Sequence, residues 1–169
     1  VLDFVEAEQT FEFQYIEKQP TPSLLRGFSA PVKLSYDYTV EQLAVLMSSD
    51  EDGFNRWSAA QELAVRELNA LITQAKRNEP LSIESQLLVG FKHLLSDESL
   101  DKSMVSLILN LPSQAYLSEI SDEVDPQAIK QARTYLKQLI AKALEQEFAD
   151  CYERNNIALD YLPNAEQIS

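Results

Sequence analysis

Two hydrophobic periods divide this chain. Up to residue 38 apolar side chains recur at every second position. Phe11, Phe13 and Tyr15 alternate with Glu12 and Gln14, and Val32, Leu34, Tyr36 and Tyr38 alternate with Lys33, Ser35 and Asp37. One apolar and one polar face is the pattern of a half-buried strand. Residues 1–5 read as a third strand. Pro20, Pro22 and Pro31 break pairing between the two clear strands, and Gly27 permits a positive φ in that connection. Two or three strands cannot close a sandwich, so the segment reads as the tail of a β domain.

From Thr39 the period is helical. Thr39-Val40-Glu41-Gln42 fits a capping box and predicts a short helix to about Met47. Ser48–Gly53 reads as an acidic loop. Phe54, Trp57, Ala60, Gln61, Ala64, Leu68, Leu71 and Ala75 mark a second helix ending before Asn78-Glu79-Pro80. Leu87, Leu88, Phe91, Leu94 and Leu95 mark a third. Met104, Val105, Ile108 and Leu109 mark a fourth, stopped by Pro112, and Ser113 can cap a fifth toward Ile120. Asp125-Pro126 is a strong start signal, because Asp can cap and Pro suits the first helical position. The apolar stripe from Ile129 to Tyr152 predicts one helix to near Asn155, roughly 30 residues and about 45 Å long. Residues 164–169 read as another helix start. No repeat of fixed length is present, so the pattern does not support a solenoid with a regular motif. The fold class expected is therefore mainly α with a small β part. Residues 1–38 would be an incomplete antiparallel β-sandwich of two or three strands, and 39–169 an incomplete antiparallel helical array.

Composition narrows the partners. At 169 residues the chain can bury a sizeable core without a disulfide or metal staple. A formal net charge of −13 repels phosphate backbones and anionic lipid, so neither nucleic acid nor membrane is an expected partner. Cys151 is the only cysteine, which suits a reducing compartment; with no secretory signal visible, a cytoplasmic location is expected.

Candidate chemistry is sparse. His93 is the only histidine, which excludes the H-E-x-x-H pattern, where two His one turn apart grip one zinc. It lies off the apolar stripe of its helix and reads as solvated. Cys151 falls on an apolar stripe and reads as a buried, inert thiol; the rival reading, a nucleophile, would need His93 as its base. Asp50-Glu51-Asp52-Gly53 has calcium-loop character, but the Glu an EF-hand needs six residues after the Gly is Ala59. A helix-capping loop is the better reading. Asp122-Glu123-Val124-Asp125 likewise reads as favourable charge at a helix start. Trp57 reads as core rather than a stacking platform for a ligand. Arg26 could bind a carboxylate or hold its loop to a neighbour.

Several strings carry a resemblance. Pro22-Ser23-Leu24-Leu25-Arg26-Gly27-Phe28-Ser29-Ala30-Pro31-Val32-Lys33-Leu34 closely resembles the junction between the β-sandwich and C-terminal helical domains of bacterial aminopeptidase N, a gluzincin-type zinc metallopeptidase. Ala7–Phe13, Phe54–Gln61, Leu109–Ser113 and Val124-Asp125-Pro126 are similar to that family in the same order. The resemblance implies a non-catalytic C-terminal segment of a four-domain zinc enzyme that removes N-terminal amino acids from peptides. Residues 1–38 would be the last strands of its Ig-like β-sandwich, and 39–169 the first helices of its C-terminal domain, which caps the active site. Zinc, catalytic residues and peptide substrates would belong to the parent; no catalytic, cofactor-binding or metal-ligating residue is carried over to this chain. The expected partners are the parent's other domains, with self-association of the isolated segment. The rival reading is a free-standing helical interaction module whose β-arm docks by strand addition.

Overall fold

Each helix leaves its first N–H groups without intrahelical partners, and this chain places a side-chain acceptor at the start of most of its described helices. The computed structural model describes residues 5–17, 19–29, 31, 32 and 34–156. Among these lie seven α-helices: α1 (Val40–Ser49), α2 (Gly53–Lys76), α3 (Gln86–Ser96), α4 (Lys102–Ile108), α5 (Gln114–Glu119), α6 (Pro126–Ala143) and α7 (Glu145–Asn155). At the start of α1 the Thr39 hydroxyl accepts from Gln42 N at 3.2 Å, and Gln42 Oε1 accepts from Thr39 N at 2.9 Å. Asp52, Asp101, Ser113 and Asp125 cap α2, α4, α5 and α6 with a side-chain oxygen that accepts from a backbone N–H two or three residues on, without the reciprocal bond.

The third helix is capped differently. Ser85 makes no side-chain cap of its own. Instead Glu67, from the middle of α2, accepts from Gln86 N at 2.7 Å and Leu87 N at 3.2 Å, and from the Ser85 hydroxyl at 2.6 Å. The start of α3 is thus held by the helix it packs near.

The second helix is the axis of the molecule. It packs against α1, α3, α4 and α6, and buries Leu63, Leu68 and Leu71 almost completely. Leu43 and Met47 of α1, Phe91 of α3, Ile108 of α4, Leu117 of α5 and Leu136 of α6 complete one continuous core. Burying a side chain of this size stabilises by roughly 1.5–3 kcal/mol, so this core is the main source of stability. Polar anchors fix the connections around it. Gln61 Nε2 donates to the Asn110 carbonyl at 2.8 Å and Arg133 Nε to the Pro112 carbonyl at 2.7 Å, which pins the α4–α5 link to α2 and α6.

The single long helix expected from Asp125 to Asn155 is two. The break falls at Leu144, where φ is −115° and ψ is 25°. Neither proline nor glycine marks it. The reason is tertiary: α6 packs on α2 and α5, whereas α7 packs on α3. Arg154 of α7 donates from Nη2 to the Leu95 carbonyl at 2.6 Å, one of the free carbonyls at the C-terminal end of α3, and Glu147 pairs with Lys92 at 2.7 Å. Leu144 itself is buried between the two arms.

The expected strands differ more. Among the described residues no strand forms. Tyr15 has φ 61°, a left-handed conformation that interrupts the 11–15 pattern, and Tyr38 N bonds back to Tyr36 O at 3.2 Å. Strand residues need a neighbour for their N–H and C=O groups, and an Ig-like sandwich spreads that pairing over about seven strands and 100 residues. Without such neighbours much of the alternating face stays exposed: Phe13, Tyr15, Val32 and Tyr36 are open to solvent, whereas Phe11 is half-buried and Tyr38 is buried against the helices. Most of the proposed strand at 1–5 and the helix start at 164–169 lie outside the described residues.

Candidate functional site at the junction

The most organised polar cluster joins the junction segment to the start of α2. Leu25 and Gly27, on either side of Arg26, have φ of 53° and 64°. That conformation is easy for glycine and costs an ordinary residue about 1–2 kcal/mol. It turns the Gly27 N–H onto Asp52 Oδ2 at 2.7 Å, while Asp52 Oδ1 caps α2 through Asn55 N at 2.9 Å. One carboxylate therefore serves both loop and helix. The Asn55 side chain donates from Nδ2 to Ser23 Oγ and to the Leu24 carbonyl, both at 3.0 Å. The Tyr38 hydroxyl donates to the Pro22 carbonyl at 3.0 Å.

Charge reinforces the contact. Arg26 Nη2 lies 3.1 Å from Glu51 Oε2 and 3.8 Å from Asp50 Oδ1. Asp50 is buried; its Oδ1 accepts from Asp52 N at 2.9 Å, and its carbonyl accepts from Arg56 Nε. Burial by itself pushes the Asp52 carboxyl up. Hydrogen bonds from the N–H groups of Asn55, Gly27 and Phe54, together with the Arg26 charge, outweigh it and bring the carboxyl below its ordinary value.

The singled-out residues now have places. Arg26 does bind carboxylates, those of this chain's own Asp50 and Glu51. The Asp50–Asp52 turn is a capping and docking loop, and Asp125 caps α6 through Gln127 N and Ala128 N. His93 is exposed on α3. Cys151 is half-buried against the core rather than fully buried, and its sulfur accepts from Asn155 Nδ2 at 3.5 Å. Trp57 is also half-buried, packed on the core with its ring 5.6 Å from that of Phe54. Among the described residues no group of three or more His, Cys, Asp or Glu could hold a metal ion, so these residues do not fit a zinc site. No helix among them is long and apolar enough to cross a membrane. A groove of about 540 Å³ runs along α6, lined by Leu81, Lys130, Thr134, Tyr135 and Gln138 among others.

Sequence reasoning missed two features. Glu67 stands on the buried stripe of α2 with Ala60, Ala64, Leu68 and Leu71, and a carboxylate on an apolar face was the available signal. The docking of Arg26 and Gly27 on the 50–52 turn had only opposite charge to announce it.

Fold and cluster define a stacked helical array carrying an extended N-terminal segment docked by hydrogen bonds and ion pairs. The chain belongs to the family described as a domain of unknown function of ARM repeats (DUF3458_C), whose model matches residues 40–169. Residues 1–37 match a domain of unknown function with an Ig-like fold (DUF3458). The ARM-repeat description departs from the repeat-free sequence reading; helices of 6 to 24 residues hide any fixed period. The chain is homologous to aminopeptidase N of Haemophilus influenzae, 38% identical over 152 residues, and to that of Escherichia coli, 37% identical over 155 residues. These matches cover 90% and 92% of this chain but only 18% of either relative. A crystal structure of Legionella pneumophila aminopeptidase A in complex with aspartic acid superposes with a TM-score of 0.72 at 33% identity, covering 92% of this chain and 18% of that one. The match to the C-terminal region of aminopeptidase N agrees with a non-catalytic helical segment and does not favour a free-standing module.

Proposed function

We propose that this chain is the non-catalytic C-terminal part of a zinc aminopeptidase that removes N-terminal amino acids from peptides. Residues 1–38 are the last strands of its Ig-like β-sandwich, and residues 39–169 the first helices of its C-terminal domain. The helical array buttresses the catalytic domain and helps enclose the active-site chamber. Zinc and the catalytic groups reside in the parent's catalytic domain, peptide substrates reach the chain only through that parent, and the enzyme works in the cytoplasm.

The observation that carries this reading is the 37–38% identity to two aminopeptidases N over nine-tenths of the chain. The extended, exposed N-terminal segment supports it, since strands that belong to a larger sheet stay unpaired when the rest of that sheet is missing. The test uses the full-length polypeptide assayed on aminoacyl chromogenic substrates with and without a chelator. Chelator-sensitive release of the N-terminal residue is expected. The isolated 169 residues are expected to show no turnover and less than one zinc per chain. A full-length polypeptide without aminopeptidase activity, or a stoichiometric zinc in the isolated chain, would sink the proposal.

A further inference from the structure

We propose that residues 22–27 and the Asp50–Asn55 turn form a latch that opens as a local unit while the helical array stays folded. It is a conformational device: closed, it sets the direction in which the N-terminal segment leaves the helices; open, it frees that segment. This inference concerns contacts within this chain and stands apart from the aminopeptidase reading.

Three observations point the same way. First, the junction is held mainly by polar contacts across 25 or more residues: Arg26 to Glu51, Gly27 N to Asp52, and Asn55 to Ser23 and Leu24. Of residues 22–27 only Leu24 packs against the core, and the buried Tyr38 adds one hydrogen bond to the Pro22 carbonyl, whereas α1 to α6 are joined by fully buried side chains. Segments with few buried apolar contacts open at a small fraction of the global unfolding free energy. Second, Leu25 is held at φ 53°, a conformation that persists only while its surroundings impose it. Opening relieves it. Third, the contacts share atoms. Asp52 joins loop to helix through its two oxygens, and Arg26 spans Asp50 and Glu51, so losing one contact weakens its neighbours.

The geometry provides variants that separate latch from helix. In Asp52→Asn the remaining oxygen still caps α2, but an NH2 group now faces the Gly27 N–H, and two donors repel. In Asn55→Ala the backbone N–H still receives the cap, while the bonds to Ser23 and Leu24 are lost. Both variants keep Arg26, after which trypsin cuts. Expected for the 169-residue chain is a rise of at least tenfold in cleavage after Arg26 in each variant, and matching loss of hydrogen-exchange protection at the Gly27 amide, with helical circular dichroism unchanged at the assay temperature. Unchanged cleavage and exchange in both variants would overturn the latch. So would a rise that appears only together with loss of helical signal, because the junction would then open only by global unfolding.

Discussion

Gly90 of α3 lies against the side chain of Met47 on α1 so closely that a Cβ at Gly90 would overlap the Met47 methyl. Met47 is fully buried, so it cannot swing into solvent to make room. A glycine inside a helix costs roughly 0.5–1 kcal/mol relative to alanine, and here the missing Cβ leaves room for the Met47 side chain.

Gly90→Ala should therefore destabilise despite its better helix propensity. Overpacking costs about 1–3 kcal/mol and outweighs the propensity gain. A net loss of about 1–2 kcal/mol is expected in urea unfolding. Shortening the partner, as in Gly90→Ala with Met47→Val, should recover part of it. A more stable Gly90→Ala would show that the Met47 side chain repacks at little cost and would refute this account.

Glu67 gives a dependence on pH. Burial raises its carboxyl above the ordinary 4.5, against the opposing hydrogen bonds from Ser85, Leu87 and Gln86. The folded state then holds the proton more tightly than the unfolded chain does. The group's contribution is fully present below about 4.5 and is lost as pH rises through the raised value. In Glu67→Gln the remaining oxygen can still accept from the Gln86 and Leu87 N–H groups, the new NH2 group faces the Ser85 hydroxyl, which can turn to accept, and no charge is buried, so the variant's stability relative to wild type should climb with pH across that window. Asp52 and Asp97, whose carboxyls are lowered, act in the opposite direction, which is why variant and wild type are compared at each pH. A difference that does not vary with pH would refute this account. Glu67→Ala instead strands the Ser85 hydroxyl and two N–H groups, at about 1–3 kcal/mol for each one left unsatisfied.

Trp57 is half-buried and tilted against Phe54, so its removal should cost less than the roughly 3–5 kcal/mol of a fully buried aromatic. A loss of about 2–3 kcal/mol is expected for Trp57→Ala, with the fluorescence of the wild-type Trp57 moving to the red on unfolding. A loss under about 0.5 kcal/mol would place the ring effectively on the surface.

The N-terminal segment should make the isolated chain associate. Phe13 is 59% exposed and Tyr15 100%, and exposed apolar groups on unpaired backbone seek partners. Dimers or larger species are expected on sizing at high concentration, and deletion of residues 1–30 should reduce them. Association that persists undiminished after deletion would assign it to the helices.

What was legible in the sequence is what neighbouring residues decide among themselves. The capping box at Thr39, the Asp caps at 52 and 125, and the helical stripes from 54 to 120 need only residues three or four positions apart, and they appear where the pattern puts them. The period-two segments also stand out in the sequence, but a strand is completed only by backbone from another strand. Propensity alone could not make them pair. The break at Leu144 carries no local signal, because it arises where the chain exchanges α2 and α5 for α3 as its packing partner. The same holds for Arg26 on Glu51 and Glu67 beneath Ser85, contacts across 25 and 18 residues. Sequence alone determined where the locally capped helices begin and which helical faces are apolar. Tertiary structure alone decided which distant groups meet, since that depends on how the helices stack around α2.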